Sequence, residues 1–265
     1  MELFADSRKR IDRAAAHANA FKSIWEATLD PKSYSTAIEM NGDWTEGVAK
    51  FIHAPIPENN LALELGEMFY QLRAALDAAL YEASVIAHRS DPPPNETRIE
   101  FPIYSDPDRF EKSPVYKSPF PKEIRDWMET IQPYNNAKAV GPDALLICAL
   151  ELLHDCARKD RHRKLHIVAA VPTSFDYKLN LSHGRLTSWQ PLEANLLEGK
   201  DEFLRFTVEG FSEGDGAKIK LDSEVRVDIA VDEIPLVDPG NTGAALDAIF
   251  VAADLVIGKF EDWHK

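Results

Sequence analysis

The chain has 265 residues, 45% hydrophobic and 28% charged, a balance that excludes a disordered polypeptide. Its formal net charge of −14 works against loose binding of a polyanion over the whole surface. The longest unbroken apolar run, Ala144–Leu150, is far shorter than the ~20 residues of a membrane span, and the charged start (Glu2, Asp6, Arg8, Lys9, Arg10) lacks the apolar core of an export signal, so a cytoplasmic protein is expected.

In chain order, residues 1–30 read as a helix with Phe21, Ile24 and Trp25 among its apolar positions, stopped by Pro31. Ser35–Met40 and Val48–His53 flank Asn41-Gly42-Asp43, the pattern of a hairpin. A long helix follows over about 61–88, and Asp91-Pro92-Pro93-Pro94-Asn95 reads as a rigid loop. Residues 96–142 are spaced by prolines and expected to be mostly irregular, with one short helix near Glu123–Ile131. Their length suggests cover for the helices or a lid. Pro142-Asp143 opens an apolar helix to about Arg158–His162. From 165 to 234 the period changes to two, as in Glu224-Val-Arg-Val-Asp-Ile, which predicts antiparallel strands. Ala244–Phe260 is a last amphipathic helix. Cys148 and Cys156, eight residues apart on one helix, lie roughly 12 Å from each other and read as small hydrophobes, not a disulfide.

The 61–88 helix carries three lines of side chains at 100° steps. Leu65, Phe69, Leu72, Leu76, Ala79 and Ala83 form an apolar stripe that must be core. Glu64, Glu67, Gln71, Ala78 and Glu82 form a polar stripe expected to face water. Between them run Tyr70, Arg73, Asp77, Tyr81, Ser84 and His88. Arg73 and Asp77 are four apart and can touch. They form either a surface ion pair or, if a neighbouring element covers this flank, a semi-buried pair organising a polar pocket.

The second informative segment is 151–166. Glu151, His154, Asp155, Arg158 and His162 fall along one helical line, and Arg158, Lys159, Arg161, Arg163 and Lys164 crowd the helix end, as Arg8, Lys9, Arg10 and Arg13 crowd the first helix. The macrodipole accounts for cations at a helix C-terminus. His154-Asp155 matches the doublet of HD-type metal phosphohydrolases, but the further ligands that chemistry needs have no supporting context. His162 and His166 have a metal-ligand spacing, yet Arg163 and Lys164 between them would repel a dication. Metal-free RNA cleavage needs a histidine to move protons and an arginine to stabilise phosphorane charge, and Arg161 and His166 supply both.

Arg161-His-Arg-Lys-Leu-His166 resembles the Arg-x(4–6)-His motif of HEPN-superfamily ribonucleases, whose fold is a helical bundle. Over residues 61–166 the chain also resembles a group of bacterial proteins without an assigned activity. The resemblance rests on Leu72-Arg-x-x-Leu-Asp77, Phe101-Pro-Ile103, Ile131-Gln-Pro-Tyr134, Leu152-Leu-His-Asp155 and Asp160-Arg-His-Arg163. Ala78 stands where the group has histidine, and Arg161 where it has lysine.

The expected fold is α+β over a single domain, 1–265: a four-helix-type bundle (about 1–30, 61–88, 143–162 and 244–260) with an N-terminal β-hairpin and a C-terminal antiparallel β layer over 165–234. The expected site joins Arg73 and Asp77 to the 160–163 segment. His162 or His166 would carry the proton and Arg161 or Arg73 would stabilise charge. Asp77 or Asp160 would orient the imidazole, and Arg158, Arg163 and Tyr70 would contribute binding. Two function classes follow. One is a HEPN-like metal-independent ribonuclease or nucleotide-directed toxin or defence enzyme. The other is a non-catalytic ligand- or protein-binding module in which the cluster is a structural ion network. Neither needs a metal or cofactor. The partners expected are RNA or a phosphate-bearing ligand at a local basic patch, no membrane, and, for assembly, a homodimer.

Overall fold

A computed structural model describes residues 3–28, 34–53, 58–162, 167–192, 201–212, 219–231 and 242–264, without the side chains at 28, 34, 53, 58–59, 160–162, 167–177 and 221–231. The chain is α+β. In order it forms α1 (Ala5–Thr28), β1 (Tyr34–Met40), β2 (Glu46–His53), α2 (Glu58–His88), α3 (Pro107–Lys112), α4 (Pro114–Lys117), α5 (Lys122–Thr130), α6 (Pro142–His162), β3 (Ile167–Leu181), β4 (Arg185–Pro191), β5 (Glu202–Glu209), β6 (Ile219–Val231) and α7 (Thr242–His264). Single 3-10 turns lie at Glu96–Arg98 and Pro133–Lys138. These elements group into two compact units: a helical one (1–21, 62–165 and 243–265) and a β-rich one (22–61 and 166–242).

In the helical unit the apolar stripe of α2 is core as expected: Leu65, Phe69, Leu72, Leu76, Ala79 and Ala83 are all buried. The polar stripe departs from expectation. It does not simply face water, because α1 covers part of it. His17 Nδ1 lies 2.8 Å from Glu64 Oε2 and Arg10 donates to Gln71 Oε1 at 3.4 Å, while the Phe4 amide donates to Glu82. A polar stripe can be covered when the covering element supplies matched donors, and α1 supplies a histidine and an arginine while Phe4, just before it, supplies a backbone amide. Burial accordingly pushes the Glu82 carboxyl above its ordinary range. α7 joins the same unit through Phe260, which stacks edge-on against Phe101 and Trp127, and through Trp263 against Phe120.

Residues 96–142 are more helical than the proline spacing suggests. Pro107 and Pro114 each sit at the first position of a helix, where the missing amide costs nothing. Asp106 caps α3 by accepting from the Asp108 amide at 3.0 Å, and Ser113 caps α4 by accepting from the Tyr116 amide at 3.2 Å. The prolines that read as breaks are starts. The segment forms cover, not loose loop: Phe101, Ile103, Phe110, Val115, Phe120, Ile124, Met128 and Ile131 are buried.

In the β-rich unit, β1 and β2 pair antiparallel from Tyr34↔His53 to Met40↔Gly47. Asn41 closes their turn by accepting from the Thr45 and Glu46 amides at 3.0 and 3.1 Å. This pair is not separate from the later strands. β2 also pairs antiparallel with β5, giving a four-stranded sheet in the order β1-β2-β5-β4, while β3 and β6 form a two-stranded ladder of their own. Leu204, Phe206 and Val208, alternate residues of β5, join Phe203, Ala49 and Phe51 in one core cluster, with Phe51 and Phe203 ring centroids 4.4 Å apart. Gly47 lies opposite Phe206, and a β-carbon there would fall 2.3 Å from the Phe206 ring. Among the described residues no helix is long and apolar enough to cross a membrane.

Candidate functional site

The expected site begins on α2, and there the structure places a buried cation. Arg73 is only 5% exposed. Its Nη2 donates to the Phe101 carbonyl at 2.7 Å and lies 3.0 Å from Asp77 Oδ1. Asp77 Oδ1 in turn accepts from the Phe101 amide at 2.8 Å. The i,i+4 pair therefore grips both backbone groups of a single residue. The cover this flank requires is the 99–104 strip, held on the helix by charge-assisted hydrogen bonds.

A second fastener lies beside the first. Gln132, fully buried, accepts from the Tyr104 amide at 3.0 Å and donates to the Pro102 and Met128 carbonyls at 3.0 and 2.7 Å. Three segments distant in sequence, 72–77, 101–103 and 131–134, thus meet in one hydrogen-bonded knot. Tyr104 sits in it half-buried. Burial raises its phenol, Arg109 opposes the rise, Glu100 adds to it and Arg73 opposes it. The Arg109 guanidinium stands 5.1 Å from the centre of the Tyr104 ring. Tyr134, whose hydroxyl is buried without a hydrogen-bond partner, has its phenol pushed up to about 12, chiefly by burial.

The knot is chemically quiet. It holds no nucleophile beside a base, and Asp77 spends an oxygen on a backbone amide and the Arg73 guanidinium. Besides the Tyr134 hydroxyl, Arg73 Nε and Nη1 are buried without hydrogen-bond partners. Buried donors left in this state cost roughly 1–3 kcal/mol each.

The other expected site residues are placed as follows. Tyr70, expected on the covered flank with Arg73, is 49% exposed. It lies three residues, and so 60° of helical rotation, from Arg73. Arg158 is exposed and pairs with Asp155 at 3.6 Å. α6 runs to His162, but the side chains of Asp160, Arg161 and His162 lie outside the described residues, as do Arg163 and His166 altogether. Their expected meeting with Arg73 falls there too. Higher on α6, Cys156 is buried and its thiol is pushed up to about 12 by that burial, which removes it as a nucleophile at neutral pH, and Cys148 is a second free thiol. Glu151 has its carboxyl raised by burial and by Asp155. Among the described residues, no group of three or more His, Cys, Asp or Glu side chains is arranged to hold a metal ion.

One further feature had no signal in sequence spacing. A cleft of about 250 Å³ opens where the end of α2, the Glu96–Arg98 turn and α4 converge, and His88, Arg98, Lys112 and Lys117 line it. Those four residues span thirty positions and belong to neither of the basic patches visible in the sequence, so only the fold brings them together. No family model, no curated protein and no solved structure matches this chain.

Proposed function

We propose that the protein is a non-catalytic binding module in which the Arg73–Asp77 pair is structural. A catalytic arginine has to reach a reacting group; this one is enclosed, and its partners are the Phe101 carbonyl and the Asp77 carboxylate. The single observation that carries the reading is that enclosure, 5% exposure with Nη2 committed at 2.7 Å to a main-chain carbonyl. On this reading α1, α2, α6 and α7 form a bundle whose α2 flank is closed by the 99–104 strip, and ligands are taken elsewhere on the surface.

The second reading is the HEPN-like ribonuclease, with His162 or His166 moving the proton and Arg161 or Arg73 stabilising charge. The unspent Nε and Nη1 of Arg73 are the observation in its favour, since a buried guanidinium with free donors suits an anion. Incubation of purified protein with single-stranded RNA in EDTA separates the two. The binding-module reading expects equal background cleavage by wild type, His162→Ala and His166→Ala. Cleavage by wild type that either substitution abolishes, with the circular-dichroism spectrum unchanged, would overturn it.

A further inference from the structure

We propose that the cleft between the end of α2 and α4 is a binding site for a small phosphate monoester. The proposal deepens the binding-module reading by assigning it a ligand class. Its positive lining is unusual for this chain. Against a formal net charge of −14, the cleft gathers Arg98, Lys112, Lys117 and His88, and no carboxylate lines it. An anion entering the cleft meets cations from separate segments of the chain and no carboxylate among the lining residues to repel it. Lys112 is only weakly engaged, 3.5 Å from Asp108 in an exposed pair. Among the described residues Arg98 and Lys117 make no ion pair.

His88 is set to take part. Its Nδ1 lies 3.0 Å from the Ser84 carbonyl, an acceptor, so Nδ1 must carry the proton. That bond fixes the ring at the edge of the cleft and leaves Nε2 as its second nitrogen.

Size and walls narrow the ligand. At about 250 Å³ the cleft is below the ~300–1,000 Å³ of drug-sized pockets, so it takes a small molecule and not a run of nucleotides. Ile99, Pro114 and Val115 supply an apolar wall beside the cations. That pairing suits a phosphoryl group carrying a short organic body better than a bare inorganic ion.

The test is calorimetric titration of the full chain at low salt with phenyl phosphate, inorganic phosphate and phenol. Saturable binding of phenyl phosphate is expected, tighter than that of inorganic phosphate, with none for phenol. The double variant Arg98→Ala/Lys117→Ala should weaken it about tenfold or more, as loss of charged hydrogen bonds does, while Lys9→Ala, an exposed cation on α1, leaves it unchanged. Both altered residues are exposed, so the fold should persist, and a circular-dichroism melt checks that it does. Absence of saturable binding by wild type overturns the proposal. So does equal binding by wild type and the double variant. Equal affinity for phenyl phosphate and inorganic phosphate would remove the organic wall from the assignment. RNA cleavage with phosphate-ester binding intact would overturn the binding-module reading and leave this site standing. Loss of the binding alone would do the reverse.

Discussion

Arg73 is a buried, paired cation in the helical unit, and its worth is measurable. Arg73→Ala removes the donor to the Phe101 carbonyl and the partner of Asp77 together. It should lower unfolding free energy by about 2–4 kcal/mol in urea titrations, somewhat below the ~3–5 kcal/mol of breaking a fully buried pair because the Asp77 side chain is 31% exposed. An exposed ion pair would lose well under ~1 kcal/mol. Arg73→Lys should recover only part of the loss, because an ammonium lacks the planar fork that spans a carbonyl and a carboxylate at once. The pair itself was legible in the sequence, since positions 73 and 77 face each other on any helix. Its partner was not. A main-chain carbonyl at position 101 has no residue identity to read, and nothing in the spacing of Phe101-Pro-Ile103 tells which helix it will lie against. Gln132 escaped for the same reason, since its acceptors at 102 and 128 are also main-chain oxygens.

At the scale of elements, hydrophobic period located every long helix and the strand-rich region to within a few residues, because burial of one face acts along the whole element. It failed where local capping decides. The 107–117 stretch has too few residues for a period, and its two short helices exist because Asp106 and Ser113 cap chains that open with proline. It also gave no warning that β2 pairs with β5, a contact between residues more than 150 positions apart. The alternation along each strand says which face is buried, not which neighbour lies alongside. Gly47 marks that seam. Gly47→Ala drives a methyl group into the Phe206 ring, so the rings of the sheet core must shift. A loss of about 1–3 kcal/mol is expected from denaturant melts, the usual cost of overpacking a filled core. Gly42, in the same hairpin, has open space around it. Gly42→Ala serves as the control and should leave stability nearly unchanged.

At the scale of the molecule, the first and last helices are tied by one side chain. Arg8 donates Nε and Nη2 to the two carboxylate oxygens of Glu261 at 2.8 and 2.7 Å, and also pairs with Asp254. The Glu261 hydrogen bonds, opposed by burial and reinforced by Asp254, raise the Arg8 guanidinium further above its already high value. Arg8→Ala leaves Asp254 and Glu261 to repel each other across two turns of α7. Because the site is partly exposed, the expected loss is about 1 kcal/mol at low ionic strength, shrinking in high salt as screening weakens both attraction and repulsion.

The tie between α1 and α7 has a temporal side. The helical unit is assembled from three separate stretches of chain, and the polypeptide leaves it twice, returning the second time with α7. A ribosome that has made every residue up to 242 has still not delivered Phe260, so Phe101 and Trp127 lack their ring partner and Arg8 lacks Glu261. The native helical packing is therefore completed only once α7 has been made, and a chain broken off before α7 exposes apolar surface that a quality-control protease or a chaperone can recognise.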